Sequence, residues 1–168
     1  MDLTHGKYLS VDYGDKRTGL ADCDPSGMLA SGIGTISEGG MKKTAIKVAS
    51  VARERGVKKI IVGLPKNMDG SEGERADVIK AFAALLAEEC DIPIDFYDER
   101  MTTMVAHRFL SESGTFGKKR KGVVDTLSAE IILQQYLDRD RSMKKEHACR
   151  ASDIYVHNSS QRIRRWIS

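Results

Sequence analysis

Three acidic positions stand out in the sequence because each one adjoins the end of a predicted strand or helix. Asp12 lies near the end of an apolar segment, Asp98-Glu99 directly follows another, and Asp125 sits in the first turn of a helical pattern. An ionised carboxylate in apolar surroundings is costly unless it is paired or bound to a metal ion. Carboxylate oxygens are the ligands that Mg²⁺ prefers, and Mg²⁺ keeps coordination positions for water and substrate phosphate. Together the acids predict a Mg²⁺ or Mn²⁺ site able to support phosphodiester hydrolysis.

Each acid also has a purely structural explanation. Asp12 could stabilise the turn that follows its strand. Asp98-Glu99 could pair with Arg100 or cap the next helix, and Asp125 is favoured by the helix macrodipole. Adjacent acids commonly face opposite ways, so we expect only one residue of the Asp98-Glu99 pair to act. No His lies near these acids in the sequence, so metal rather than His is expected to generate the nucleophile.

Basic and polar residues near the acids predict a surface that holds the substrate. Lys118 to Lys121 form a basic run after a Gly-containing segment, just before Asp125. Such a run could close over a phosphate backbone and give salt-dependent binding. A solvated loop would explain the same run. The residues assigned to substrate binding are Gly14, Lys16, Arg17, Asn67, Arg100, Thr102, Lys119, Arg120 and Lys121.

The hydrophobic pattern predicts an α/β fold that positions these residues. Three strands with short turns predict an antiparallel meander. Strands then alternate with helices, which predicts parallel strands with helices covering a mixed five-stranded sheet. The predicted strands are Tyr8–Tyr13, Arg17–Cys23, Met28–Ser37, Lys58–Gly63 and Ile92–Tyr97. The predicted helices are Met41–Arg55, a helix starting at a Ser71/Glu74 capping box and ending near Cys90, Thr102–Ser111 and Val123–Asp138.

Length and composition fit one soluble domain. The chain has 168 residues, 40% of them hydrophobic, which is enough for a core without disulfide or metal support. No apolar run approaches the ~20 residues of a membrane helix, and the N-terminus lacks the layout of a secretory signal. We therefore expect a cytoplasmic protein with no membrane partner. Cys23, Cys90 and Cys149 are widely spaced, so neither a disulfide framework nor a zinc site is expected.

The charge distribution divides the chain into a near-neutral body and a basic tail. Net charge is +3, yet residues 139–168 hold eight basic and three acidic residues. We predict one nuclease domain over residues 1–138 and a basic C-terminal extension over residues 139–168. Basic residues interleaved with a Trp near the chain end can bind single-stranded nucleic acid. Chain ends are usually poorly ordered, so disorder is the expectation for this extension.

Four ordered segments resemble the YqgF family, also called the RuvX or pre-16S rRNA nuclease family, which is related to bacterial Holliday junction resolvases. The segments are Val11–Ala21, Ile61–Gly73, Asp98–Thr103 and Lys119–Ala129. The resemblance covers about residues 7 to 138. Four motifs in the proper order and spacing are far more specific than one short motif.

The resemblance implies a ribonuclease H-like fold, a divalent metal and processing of the 5′ end of the 16S rRNA precursor during ribosome biogenesis. It places the catalytic acids at Asp12, within Asp98-Glu99 and at Asp125. Because related resolvases use a Glu as second ligand, it favours Glu99 over Asp98, so the expected metal ligands are Asp12, Glu99 and Asp125. The loop Gly63–Gly73 would line the substrate groove. Glu130 stands where the family usually has a small or apolar residue, so it is either a surface change or an added ligand.

Other functions remain open at this point. A Holliday junction resolvase acting on branched DNA would need a dimer for its two cuts, and the sequence is compatible with a monomer or a homodimer. A non-catalytic nucleic-acid-binding module in transcription is a further alternative, although all three expected acids are present. An actin-like ATPase could use Asp12-x-Gly14 and Thr18-Gly19 as a phosphate hairpin, but 168 residues are too few for its two lobes.

Overall fold

The computed structural model describes residues 6–99 and 125–144. The strands are β1 Lys7–Tyr13, β2 Thr18–Cys23, β3 Ala30–Ile36, β4 Val57–Leu64 and β5 Ile94–Asp98, and the first two helices are α1 Met41–Glu54 and α2 Glu74–Glu89. A further helix, α3, spans residues 125–144. The predicted helix Thr102–Ser111, the basic run and the tail beyond residue 144 lie outside the described residues.

The five strands form one mixed sheet in the order β3-β2-β1-β4-β5. β2 pairs antiparallel with β1 and β3, whereas β4 pairs parallel with β1 and β5. The predicted meander followed by parallel strands is therefore confirmed. The turn between β1 and β2 is tight. A Cβ on Gly14 would clash with the backbone carbonyl of Arg17, so this position requires glycine.

Successive side chains of β1 point to opposite faces of the sheet, as strand geometry requires. On one face Leu9, Val11 and Tyr13 pack into the main core, which α1 and α2 close with residues such as Val48 and Phe82. This burial of apolar surface is the main force holding the helices to the sheet. The remaining β1 side chains therefore face the other side.

Helix α3 covers that second face. In its first half, the hydroxyl of Ser10 donates to the carbonyl of Ala129 at 2.5 Å. Eleven residues after its described start, the hydroxyl of Tyr136 donates to the carboxylate of Asp95 on β5 at 2.6 Å. Asp12 shares the face of Ser10, so it points towards α3.

The predicted capping box of α2 is wrong. The N-cap residue is Gly73, and no side chain caps the helix. Ser71 is used elsewhere, because its amide and its hydroxyl donate to the carboxylate of Asp69 at 2.8 and 2.6 Å. A local turn in the loop thus takes the Ser side chain that the sequence pattern assigns to the helix.

Other predicted boundaries shift as well, most of them by one or two residues. β3 begins at Ala30 rather than Met28, because the amides of Met28 and Leu29 donate to Asp24 at 2.9 and 2.8 Å. Helix α3 continues to residue 144, beyond the predicted end at Asp138.

The chain forms two compact units, Met1–Tyr136 and Leu137–Ser168. Within the described part of the second unit, Lys144 pairs with Asp140 one helical turn earlier at 2.7 Å.

Within residues 6–99 and 125–144, none of the helices has the length and apolar character needed to cross a bilayer. Cys23 and Cys90 are free thiols buried in the fold. Cys149 lies outside the described residues.

Candidate active site

Asp12 lies between two glycines of the neighbouring strands. Gly19 of β2 is its direct antiparallel partner. On the other side, the parallel register pairs Val11 with Val62, so the next residue of β4, Gly63, lies beside Asp12. Laterally neighbouring residues on the same face of a sheet normally contact one another through their side chains. Two glycines here leave space on both sides of one carboxylate.

The other predicted acids fill these two spaces. A Cβ on Gly19 would lie well under 3.0 Å from the backbone carbonyl of Asp125, so the start of α3 rests directly on β2. A Cβ on Gly63 would also lie under 3.0 Å from the carboxylate of Glu99, and 2.8 Å from the terminal methyl of Ile132. The glycines therefore admit α3 and a second acidic side chain around the central carboxylate.

The electrostatics show that Asp12 is close to a second acid. The pKa of Asp12 is raised from 3.8 to about 6, mainly by burial and secondly by repulsion from the Asp125 carboxylate. The Arg75 charge and a hydrogen bond with the Ser128 side chain act in the opposite direction. Repulsion between like charges in a low-dielectric site is the second cause of such shifts after desolvation.

Glu99 is perturbed in the same sense. Burial is the main cause that raises the pKa of Glu99 from 4.5 to about 7, followed by repulsion from Asp12. The charge of Asp98 also raises this pKa, whereas Arg75 lowers it. Glu99 is therefore within electrostatic reach of the central carboxylate.

The alternation of β5 explains why Glu99 rather than Asp98 contacts Gly63. Tyr97 faces α3, because its hydroxyl donates to the side chain of Gln135 at 3.1 Å. Two residues further along the chain, Glu99 returns to the same side and reaches Gly63. The alternation turns Asp98, the last residue of β5, away from α3.

These shifts predict that Asp12→Asn stabilises the metal-free protein at neutral pH. A raised carboxyl pKa means that the folded state binds the proton more tightly, so this group's contribution to stability falls as pH rises from about 4 to about 6. For Glu99 the corresponding window extends to about 7. At pH 8 in chelator, D12N should gain on the order of 2 kcal/mol over the parent, and at pH 4 it should gain nothing. Urea denaturation at both pH values measures this, and a D12N protein less stable than the parent at pH 8 contradicts it.

The three acids have the chemistry of a divalent-cation site. Asp12, Glu99 and Asp125 supply only hard oxygen donors, and a cation would relieve the repulsion that raises the pKa of the first two. Among the described residues, however, no group of three or more His, Cys, Asp or Glu forms a ready-made ligand set. By donor type and charge, the three acids nevertheless fit a Mg²⁺ or Mn²⁺ ion.

The predicted substrate-binding residues near the acids fall into two segments. Gly14, Lys16 and Arg17 form the β1–β2 turn, where Lys16 is exposed and Arg17 is half-buried. Asn67 lies in the loop before α2, and its side chain donates to the hydroxyl of Ser71 at 2.8 Å. The other five predicted binding residues lie outside the described part of the chain, and they are Arg100, Thr102, Lys119, Arg120 and Lys121.

Glu130 has a role that the sequence did not indicate. Its carboxylate accepts a hydrogen bond from the backbone amide of Gly32 at 3.1 Å. Gly32 belongs to β3, one of the two outer strands of the described sheet, so Glu130 satisfies a backbone donor there. The contact fastens α3 to β3.

Arg75 is a charged residue of the site that was not predicted from the sequence. Its guanidinium donates to Asp15 at 2.9 Å and to the carbonyl of Tyr13 at 2.8 Å. Its charge lowers the pKa of both Asp12 and Glu99. The available signal was its place in the first turn of α2, where the helix dipole disfavours a cation and a partner elsewhere is needed.

The sheet order, the helix on its second face and the acids beside the central strand define a protein of the ribonuclease H-like fold. The solved structure of Thermus thermophilus RuvC in complex with a Holliday junction substrate shares this fold, with a TM-score of 0.55 at 11% identity over 82% of this chain and 97% of that chain. The Fowlpox virus resolvase in its Holliday junction DNA complex gives a TM-score of 0.52 at 12% identity, over 79% of this chain and 97% of that one.

The chain belongs to the RuvX family, described as Holliday junction resolvase, whose model matches residues 6–139. A relative from Clostridioides difficile is 41% identical over 81% of this chain and 96% of its own length. Another from Pelotomaculum thermopropionicum is 38% identical over 83% of this chain and 92% of its own length. Both relatives carry the name "Putative pre-16S rRNA nuclease".

Proposed function

We propose that this protein is a divalent-metal-dependent endonuclease that hydrolyses phosphodiester bonds at the 5′ end of the 16S rRNA precursor. The observation that carries the proposal is Asp12, held between Gly19 and Gly63 with Asp125 and Glu99 filling the spaces beside it. The names of the relatives support the RNA substrate. Such a substrate agrees with the cytoplasmic location that the composition predicts.

Three carboxylates would hold the ion, which, when bound, activates water and stabilises the leaving oxygen. Asp12, Glu99 and Asp125 are the proposed ligands. The hydrogen bond with Ser128 orients the Asp12 carboxylate. Partial burial of the acids strengthens their interaction with charge.

The β1–β2 turn supplies positive charge beside the acids. Lys16 is exposed there, and Arg17 follows it directly. Phosphate contacts from Lys and Arg position a nucleic acid without reading its sequence. Selection of the rRNA precursor would therefore depend on the shape of the RNA around the cut and on contacts beyond this turn.

Asp12→Asn and Asp125→Asn should each reduce cleavage of a 16S precursor RNA by at least about 100-fold, above the effect typical of groups that only support a ligand. Each change keeps the shape of the side chain and removes one anionic donor. The control is Asp91→Asn, an exposed acid after α2 that should cleave like the parent. Initial rates with Mg²⁺ or Mn²⁺ measure the effect. Full activity in both folded site variants would exclude the proposed site.

Holliday junction cleavage is a second candidate, favoured by the family description and by the shared fold of two resolvases. Resolution requires two cuts and hence two active sites, so it calls for a homodimer. Parallel assays on precursor RNA and on a four-way DNA junction, with the mass in solution measured on the same sample, decide between them. Faster cutting of the RNA supports the proposal, whereas paired cuts of the junction by a dimer replace it with the resolvase function.

A further inference from the structure

One side chain links the end of β1 to the start of α2. The two terminal nitrogens of Arg75 donate separately, to the Asp15 carboxylate at 2.9 Å and to the Tyr13 carbonyl at 2.8 Å. The guanidinium also lies 6.0 Å from the centre of the Tyr13 ring, which stacks on Phe82 with 4.2 Å between centroids. Tyr13 directly follows Asp12, so this link restrains the backbone that carries the central carboxylate.

Stability alone does not account for this arrangement. The side chains of Arg75 and Asp15 are 42% and 73% exposed, and exposed ion pairs contribute little to folding. A cation in the first turn of a helix is also disfavoured by the helix dipole. The specific feature is the geometry, since a planar guanidinium donates from separate nitrogens in a fixed fork, whereas an ammonium group donates from one rotatable nitrogen.

The loop that precedes α2 is a compact unit. Within it, the amide of Asn67 donates to the carbonyl of Ser71 at 2.9 Å, and the amide of Gly70 donates to the carbonyl of Asn67 at 2.9 Å. Near the two ends of the loop, the Lys66 ammonium nitrogen lies 3.9 Å from a carboxylate oxygen of Glu72. Because the loop is held together internally and runs straight into α2, fixing the first turn of α2 fixes the loop.

We propose that Arg75 is a positioning residue for the nuclease reaction. By joining Tyr13 and Asp15 to the start of α2, it holds the β1–β2 turn (residues 14–17) and the loop of residues 65–73 as two rims of one substrate groove, with Asp12 between them. The inference rests on the proposed function. Arg75 acts by aligning the substrate rather than by contacting the reacting phosphate.

Steady-state cleavage kinetics test this role. Arg75→Gln should lower kcat about 10-fold or more while KM changes less than about threefold. Arg75→Lys should be intermediate, because its ammonium group keeps the charge but donates from a single nitrogen. The matched control is Arg53→Gln, which removes another exposed Arg that bonds a backbone carbonyl, that of Glu89, at 2.7 Å. This control should leave both constants unchanged.

The salt dependence of KM separates positioning from direct phosphate contact. A positioning residue leaves the slope of log KM against log salt concentration unchanged in Arg75→Gln. A residue that neutralises a phosphate changes the slope by about one when it is removed. A raised KM together with that change of slope would overturn the proposal, as would parental kcat in Arg75→Gln.

Hydrogen exchange on the metal-free protein gives a readout that is independent of activity. Arg75→Gln should speed exchange of the amides of Asn67, Gly70 and Ser71 about 10-fold, whereas Arg53→Gln should not. Arg75→Lys is measured alongside in case the Gln variant is poorly folded. Unchanged exchange in both Arg75 variants would show that Arg75 does not hold the loop of residues 65–73 in place. If Arg75→Gln exchanges faster but the parent protein cleaves no RNA, the role of Arg75 in holding the loop is supported and the proposed function is refuted.

Discussion

Replacing Gly19 by alanine is expected to lift the start of α3 from the sheet and to destabilise the protein by about 3 kcal/mol, the upper part of the usual range for overpacking. The new Cβ would lie under 3.0 Å from the carbonyl of Asp125 and 3.1 Å from the amide nitrogen of Thr126. These are backbone atoms of a helix, so no side-chain rotation relieves the clash. The bond between Ser10 and Ala129 opposes movement of the helix.

Urea denaturation of Gly19→Ala measures this loss, and Gly39→Ala is its control. A Cβ on Gly39 meets nothing within 4 Å, so that variant should stay within about 0.5 kcal/mol of the parent. Cleavage by Gly19→Ala should also fall, because Asp125 moves with the helix. Parental stability in Gly19→Ala would show that α3 does not rest on β2 as described.

Gly63→Ala is expected to remove activity while largely preserving the fold. Its Cβ would displace the carboxylate of Glu99, which is the movable end of a flexible side chain, and press on Ile132 at 2.8 Å. The stability cost should therefore be only about 1–2 kcal/mol. Cleavage should fall at least about 100-fold, as expected when a metal ligand rather than a supporting group is displaced.

A double-variant comparison tests whether Gly63 acts through Glu99. If the alanine works by moving that carboxylate, Gly63→Ala/Glu99→Gln should cleave no more slowly than the slower single variant. Cleavage rates under saturating Mn²⁺ and thermal melting of all three proteins provide the data. Multiplicative losses in the double variant, or parental cleavage by Gly63→Ala, would contradict this explanation.

The sequence predicted the main elements because their signals are local. Alternation along β1 and helical spacing in α1 depend on residues a few positions apart, and both elements form within one residue of the predicted bounds. Two predicted boundaries failed because a side chain accepts a hydrogen bond from a backbone amide. Asp24 delays β3 in this way, and Asp69 removes Ser71 from the expected capping box.

The site was predictable in part. Asp12 and Asp125 stand out by their positions at element ends, and the choice of Glu99 came from the family resemblance. Arg75 was missed because its contact with Asp15 spans 60 residues of sequence and depends on how α2 packs. The roles of Gly19 and Gly63 were missed for the same reason, since only the strand register places both beside Asp12. The tail and the basic run remain predictions.

We propose that Asp12, Glu99 and Asp125 together hold a divalent cation. The most direct measurement is Mn²⁺ binding to the full chain at pH 8, followed by electron paramagnetic resonance of the free ion. We expect the parent and Asp91→Asn to bind Mn²⁺ alike, and Asp12→Asn, Glu99→Gln and Asp125→Asn each to bind at least about 10-fold more weakly. Parental affinity in all three site variants would show that these acids do not hold the ion.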